Sequence, residues 1–438
     1  MRAEFDTLCD DILGQLRADE DATLNLRAEA SDFVRFNRGR VRQPGHVRHG
    51  MVSLRLLRGQ RHAAVTFNVS GDRDLETARA ALDHLRGLLE VVPEDPHLLW
   101  EQDGESTSNV QAGTPATGAE IVETIVDAAR DLDLVGILAS GEMATGFASS
   151  RGQRNWDQKH GWLFDWCLYA GGDKAVKSTL GGSEFHPEKL RSRIASDSEQ
   201  LEILTRPARR LEPGDYRVYL TPSAMGELLD LVSSDGFSLR AHRSHSSSLE
   251  RMAHEGARLS PRVHLSEDVR GGLAPGFSEH GFSRPGHIPL VSEGALVGAL
   301  VSPRSAREYG QPTNGTSTWE APDSLAMSGG DLPEQDAMKA LGTGLYISNL
   351  WYLNYSDHTQ GRITGMTRFA TLWVEDGVPV APTEVMRFDD TLFHLLGEGL
   401  EDLTREVSML PSTQTYGMRS ASSQRVPGAL IRDMTFTL

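Results

Sequence analysis

Two cysteines, Cys9 and Cys167, are all that 438 residues supply. That scarcity excludes a disulfide framework and a multi-cysteine zinc site. Lysine is also scarce: of 44 basic residues only Lys159, Lys174, Lys177, Lys189 and Lys339 are lysine, and no polybasic run occurs. With a formal net charge of −17, the surface repels phosphate backbones and anionic lipid, so neither nucleic acid nor a membrane is an expected partner. Long apolar runs are missing too. The most apolar late window, GALVGALV at 294–301, is far too short to span a bilayer. The opening MRAEFDTLCDDILGQLRADED reads as an acidic amphipathic helix without the apolar stretch of a signal peptide. A soluble, cytoplasmic protein is the expectation.

What is present suffices for a globular core: 39% of residues are hydrophobic and 24% charged. The length argues for more than one domain. Phe5, Leu8, Ile12 and Leu16 recur at helical spacing, predicting a helix over 3–17. ATLNLRAEAS, DFVRFNRGRVRQ and MVSLRLLRGQRHAAVTFN alternate with period two and break at Gly-containing turns, predicting strands. A second amphipathic helix is predicted over 72–92, with Asp72 or Asp74 as its cap. Residues 93–118, rich in Pro, Gly, Ser and Thr, read as a connecting loop. A helix at 118–132, strands near 133–150 and 161–179, and a helix at 186–204 complete this half. Pro207 and EPGDY at 212–216 mark a boundary. The expectation is an α+β protein of two domains, residues 1–210 with helices on a sheet and residues 211–438 mainly antiparallel β with few helices. In the second, only MGELLDLV and TLFHLLGEGLEDLTREVSML read as helical.

The stretch RSHSSSLERMAHEGARLSPRVH, 243–264, is dense in histidine and includes the dipeptide His254-Glu255. A zinc-protease helix carries H-E-x-x-H so that two histidines share one face with a glutamate beside them. Here no histidine follows His254 until His264, which lies beyond Pro261, so one helix cannot carry both. His242 and His245 are three apart, yet HRSHSSS has no apolar stripe to fix it. Solvated loop histidines are the reading, and the same holds for His280 and His287 in GFSEHGFSRPGHIPL. No G-x-S-x-G elbow occurs, and neither GTGLY nor GGSE resembles a phosphate loop.

The informative stretch is LGTGLYISNLWYLNYSDHTQGRITGMTRFATLWVEDGVPVAPTEVMRFDDTLFHLL, 341–396, together with LSPRVHLSEDVRGGLAPGFSEHGFSRPGHIPLVSEGALVGALVSPRSAREYG, 259–310. These segments resemble the C-terminal region of the TldD/PmbA family, also called TldD/TldE, and the resemblance extends over nearly the whole chain. It implies two domains and a paired assembly in which a TldD-type subunit carries zinc and a TldE/PmbA-type subunit does not. It also implies peptidase action on unfolded or flexible peptides. The active subunit carries H-E-x-x-x-H on a helix and a later Cys as third ligand.

This sequence departs from that pattern at each ligand. The corresponding helix lies in TPSAMGELLDLVSSDGFS, 221–238, which sets Asp230 and Asp235 at the histidine positions and Leu231 at the glutamate. Leucine cannot take a proton from water, and two carboxylates without imidazole match zinc poorly. The closing segment YGMRSASSQRVPGALIRDMTFTL has no cysteine. The chain therefore resembles the zinc-less subunit, with no catalytic residue and no metal ligand of its own, and zinc is expected in a TldD-type partner. Its expected share of the work is holding peptide. Trp351, Asn354, Tyr355, Arg362 and Arg368, in WYLNYSDHTQGRITGMTRF, are the candidate substrate-binding residues. Two other readings stand beside this one. The first is an autonomous metallohydrolase with ligands drawn from Asp230, Asp235, His242, His245, His254 and Glu255. The second is a peptide-binding homodimer, a state also open to the chain when its partner is scarce.

Overall fold

The computed structural model describes residues 1–111, 116–172 and 174–437. Helix α1 (Arg2–Leu13) buries Phe5, Leu8, Cys9 and Ile12. Three long strands follow, β1 (Asp21–Asn37), β2 (Arg40–Arg58) and β3 (Arg61–Val69), then helix α2 (Asp74–Leu89). After the short β4 (Thr107–Val110) come α3 (Gly118–Ala128), β5 (Asp133–Ser149), β6 (Arg154–Tyr169), β7 (Ala175–Gly182) and α4 (Pro187–Leu204). The strands form one sheet in the order β3-β2-β1-β5-β6-β4, with β7 also on β6. Long β1 serves two cores. Its Leu24, Leu26 and Ala28 pack with Leu82 and Leu85 of α2, while Val34 and Phe36 pack with Ile121 of α3 and Leu190 of α4. Ala370 and Leu372, from the C-terminal half, complete that second cluster.

The C-terminal half begins with β8 (Gly214–Leu220) and α5 (Pro222–Ser233), followed by two short helices, α6 (Leu239–Arg243) and α7 (Glu250–His254). Then come β9 (Leu265–Glu267), β10 (Ile288–Ser292), β11 (Ala295–Leu296), α8 (Pro303–Tyr309), β12 (Ser324–Met327) and α9 (Ala337–Leu341). The hairpin of β13 (Gly344–Asp357) and β14 (Arg362–Glu375) precedes β15 (Val378–Pro382), β16 (Arg387–Thr391), β17 (Leu400–Pro411) and β18 (Ser423–Phe436). The sheet runs β11-β10-β9-β12-β18-β16-β14-β13-β8, and β8 pairs again with β18, so part of it closes on itself. The apolar face of α5 packs into the core of this sheet.

The α+β class and two-domain architecture hold. The second sheet is mainly antiparallel, with β8–β13 and β12–β18 as parallel pairs. Several local expectations do not hold. The helix expected from TLFHLLGEGLEDLTREVSML is a short π-turn, His394–Glu398, followed by β17. Gly397, at φ −112° and ψ −112°, breaks the helical path. Pairing with β18 then overrides the helical preference of the residues after it. Neither Asp72 nor Asp74 caps α2: the N-cap is Arg73, and the Asp74 carboxylate accepts from the backbone N–H groups of Ser70 and Gly71. The expected 161–179 strand is two strands, β6 and β7, and its residue 173 lies outside the described residues, as do 112–115 of the expected 93–118 loop. The expected division near 210 falls in the segment between α4 and β8. No helix among the described residues is long and apolar enough to cross a membrane.

Polar contacts tie the two halves together. Arg419 is buried and donates to Ser31 Oγ, Gly141 O and Gly161 O. Lys159 Nζ donates to the carbonyls of Leu273 and Ala274, and Gln153 Nε2 to that of Gly281.

Candidate functional site

Helix α5 starts where Thr221 Oγ1 accepts from the backbone N–H of Ala224, with Pro222 in the first turn. Ala224, Met225, Leu228, Leu229 and Val232 face the core. The other face carries Glu227 and Asp230, three apart and therefore adjacent on the helix surface. Both line a cavity of about 280 Å³ together with Lys177, Ser223, Asn349 and Gln424. Lys177 belongs to β7, so the N-terminal half supplies part of the wall.

Glu227 is the most perturbed group in that cavity. Its Oε1 accepts from Asn349 Nδ2 at 3.1 Å and its Oε2 from the Leu350 backbone N–H at 2.5 Å. Burial dominates these bonds and pushes its carboxyl up to about 7. Burial also raises the Asp230 carboxyl, which accepts from Gln424 Nε2 at 3.2 Å. Sequence reasoning missed Glu227. The available signal was its place one turn before Asp230, an acidic residue in an otherwise apolar helix.

Asp230 and Asp235, which the resemblance sets at zinc-ligand positions, engage separate groups. Asp235 lies past the end of α5, where Oδ1 accepts from the Ser248 N–H at 2.9 Å and Oδ2 lies 2.7 Å from His358 Nε2. Asp230 engages Gln424 instead. The two carboxylates thus serve separate partners, and Leu231 between them offers no donor atom.

The candidate peptide-binding residues spread along the β13–β14 hairpin. Trp351 is 44% exposed, and the Arg368 guanidinium lies 5.5 Å from its ring centroid. Tyr352, 75% exposed, sits 5.4 Å from Trp351. These three form one surface patch. Tyr352 and Phe369 both hold left-handed backbone, φ +51° and +57°, in segments where the hairpin register slips. The remaining candidates point elsewhere. Asn354 is exposed and its Oδ1 accepts from the Tyr355 N–H. Tyr355 is half-buried and donates to the Leu231 carbonyl at 3.3 Å, while Arg362 pairs with Asp389 at 2.7 Å.

The histidines divide as well. His242 is buried, with Nε2 2.8 Å from Gly236 O. His280, expected at the surface, is buried at the seam between the halves, where its carbonyl accepts from the Glu101 N–H. His287 is exposed, and His264 Nδ1 accepts from the Glu293 N–H. Glu255 pairs with Arg251. His245 and His254 do converge, but on Glu250 rather than on Glu255.

Residues 213–438 match the family model of the PmbA/TldA metallopeptidase C-terminal domain, and the chain belongs to the TldD/PmbA family. No curated protein matches it significantly. Three solved structures share its fold. TldE from Thermococcus kodakarensis superposes with a TM-score of 0.80 at 12% identity, covering 99% of this chain and 100% of that one. A candidate modulator of a DNA gyrase from Thermotoga maritima gives 0.78 at 14% identity, with the same coverage of 99% and 100%. A gyrase-modulator candidate from Bacteroides thetaiotaomicron gives 0.72 at 15% identity, covering 100% and 98%.

Proposed function

We propose that this chain is the non-catalytic subunit of a TldD/TldE-like peptidase, zinc-less in the sense that it lacks the family's catalytic zinc motif, working in the cytoplasm with a zinc-bearing TldD-type partner. The observation that carries this reading is the state of α5: Asp230 is engaged with Gln424, Asp235 with Ser248 and His358, and Leu231 has no proton-accepting group. With leucine at the position where the resemblance puts the catalytic glutamate, this chain's contribution to hydrolysis is binding and admission of substrate. Unfolded or flexible peptide suits the surfaces available. The Trp351–Arg368 patch offers aromatic area beside a cation. The Glu227–Asp230 cavity offers carboxylates to a peptide amino group or a basic side chain. Asn354, Tyr355 and Arg362 extend the same hairpin.

The test is a peptidase assay on this chain alone, a TldD-type partner alone and the two mixed, with a chelator control. Activity confined to the mixture and abolished by chelator is expected. Hydrolysis by this chain alone, or failure of the two to co-purify, overturns the reading.

A further inference from the structure

We propose that His245, Glu250 and His254 form a binding site for a borderline divalent metal ion such as zinc, separate from the α5 positions where the family pattern puts its metal. The site is built from the turn between α6 and α7. Glu250 opens α7 and His254 closes it, so the pair lies four apart on one helical face. His245 reaches them from the preceding turn through a left-handed backbone, φ +56°, which an L-residue adopts only at some cost. The two imidazole rings are 4.4 Å apart. One ligand atom from each of the three residues lies within 4.8 Å of the others.

The distances suit a shared ion. His245 Nδ1 lies 2.7 Å from Glu250 Oε1, and His254 Nε2 lies 3.8 Å from Glu250 Oε2. Tetrahedral zinc with nitrogen and oxygen ligands at about 2.0–2.2 Å separates neighbouring donors by about 3.3 Å. One observed spacing is shorter and the other longer than that value, so shifts of about half an ångström in the side chains let them share an ion. Two histidines and one carboxylate also match the preference of such ions for imidazole with a harder third donor.

A bare His–Glu ion pair explains one carboxylate oxygen and leaves the other unexplained. Glu250 Oε2 is buried and has no hydrogen-bond partner among the described residues, although only 14% of its side chain is exposed. A buried acceptor left unpaired is costly. An ion held between that oxygen and His254 Nε2 satisfies it, displacing Nε2 from its 2.9 Å contact with the His242 carbonyl. The support beneath is ordered: His242, Ser247 and Ser248 are buried, and Ser248 N–H is bonded to Asp235. Three protein ligands leave a position for water or for a donor from another molecule. This site stands whether or not the peptidase reading holds.

The test uses the full, tag-free chain, stripped with chelator and titrated with Zn²⁺ by calorimetry and with Co²⁺ by visible absorption. One equivalent is expected to bind, with a Co²⁺ spectrum of imidazole and carboxylate ligation. Replacing a ligand should cost no less than the at least tenfold loss typical of an outer partner, so His245→Ala, Glu250→Gln and His254→Ala should each weaken binding by about tenfold or more. His245 is exposed, which keeps His245→Ala informative about binding and not about folding. The absence of saturable binding, or His245→Ala and His254→Ala variants that bind like the parent, overturns the site. Loss of binding in Asp230→Asn with the histidine variants unaffected overturns it too, and moves the ion to α5, which would instead defeat the zinc-less reading.

Discussion

The Asp235 carboxylate lies 2.7 Å from His358 Nε2, joining the end of α5 to the tip of the β13–β14 hairpin. The same carboxylate accepts from the Ser248 N–H. A residue that the resemblance sets at a metal-ligand position is thus a structural tie between three segments. Asp235→Ala should lower stability without altering metal content. Because His358 is about a third exposed, the loss should be about 1–2 kcal/mol, below that of a fully buried charged pair. Urea denaturation measures it, and elemental analysis of the same sample checks the metal. A variant as stable as the parent but depleted in metal would assign Asp235 to coordination.

Glu227 gives a pH signature. Burial holds its folded carboxyl at about 7, whereas an unfolded glutamate titrates at about 4.3. Between those values the native state keeps a proton that the unfolded state has released, so stability falls as pH rises through that window. The slope contributed by one group is at most about 1.4 kcal/mol per pH unit. Glu227→Gln removes the titration while keeping an acceptor for the Leu350 N–H. Urea midpoints should therefore decline between pH 5 and 7 more steeply in the parent than in the variant. Equal slopes would show that the carboxyl titrates normally.

Arg419 reports on the seam between the halves. Its guanidinium, buried and pulled down to about 10 by desolvation, remains charged at neutral pH and serves Ser31, Gly141 and Gly161 from across the seam. Arg419→Ala takes a charged donor from the Gly141 and Gly161 carbonyls and from Ser31 Oγ and should cost about 3 kcal/mol. Hydrogen exchange should rise in β5 and β6 around residues 141 and 161 before it rises at α1. Unchanged exchange there would mean that the halves are held by other contacts.

Periodicity made much of this fold legible. Phe5, Leu8 and Ile12 mark α1, and Leu82 and Leu85 mark α2, because one buried face at 3.6-residue spacing is a local property. β17 was hidden because Leu400 and Leu403 also suit a helix, and only their β18 partners Ile431 and Ala429, distant in sequence, decide the matter. The site was legible only in part. Asp230, Leu231 and Asp235 can be aligned with a family pattern, but the burial that perturbs Glu227 depends on Asn349 and Leu350, distant in sequence. His254 has Glu255 as its neighbour in the chain, yet helical geometry turns it toward Glu250. His280 shows the reverse error: a Gly- and Pro-rich context suggested solvent, and domain packing buried it.

The pairing of Trp351 with Arg368 separates a binding surface from mere exposure. Both side chains lie at the surface, so Trp351→Ala should change stability by no more than about 0.5 kcal/mol. If the patch anchors peptide or the partner subunit, the same change should weaken that association by about 2 kcal/mol, close to thirtyfold. Arg368→Ala should act through the tryptophan, since its guanidinium lies over that ring, and a double-mutant cycle should return a coupling of about 0.5–1 kcal/mol. Fluorescence anisotropy with a labelled unfolded peptide, and pull-down with the TldD-type partner, read the two associations separately. A loss in only one assigns the patch to that ligand, because a single aromatic anchor cannot be buried under the peptide and the partner at once. Binding unchanged in both assays would leave Trp351 as ordinary exposed surface and shift the peptide site to the Glu227 cavity.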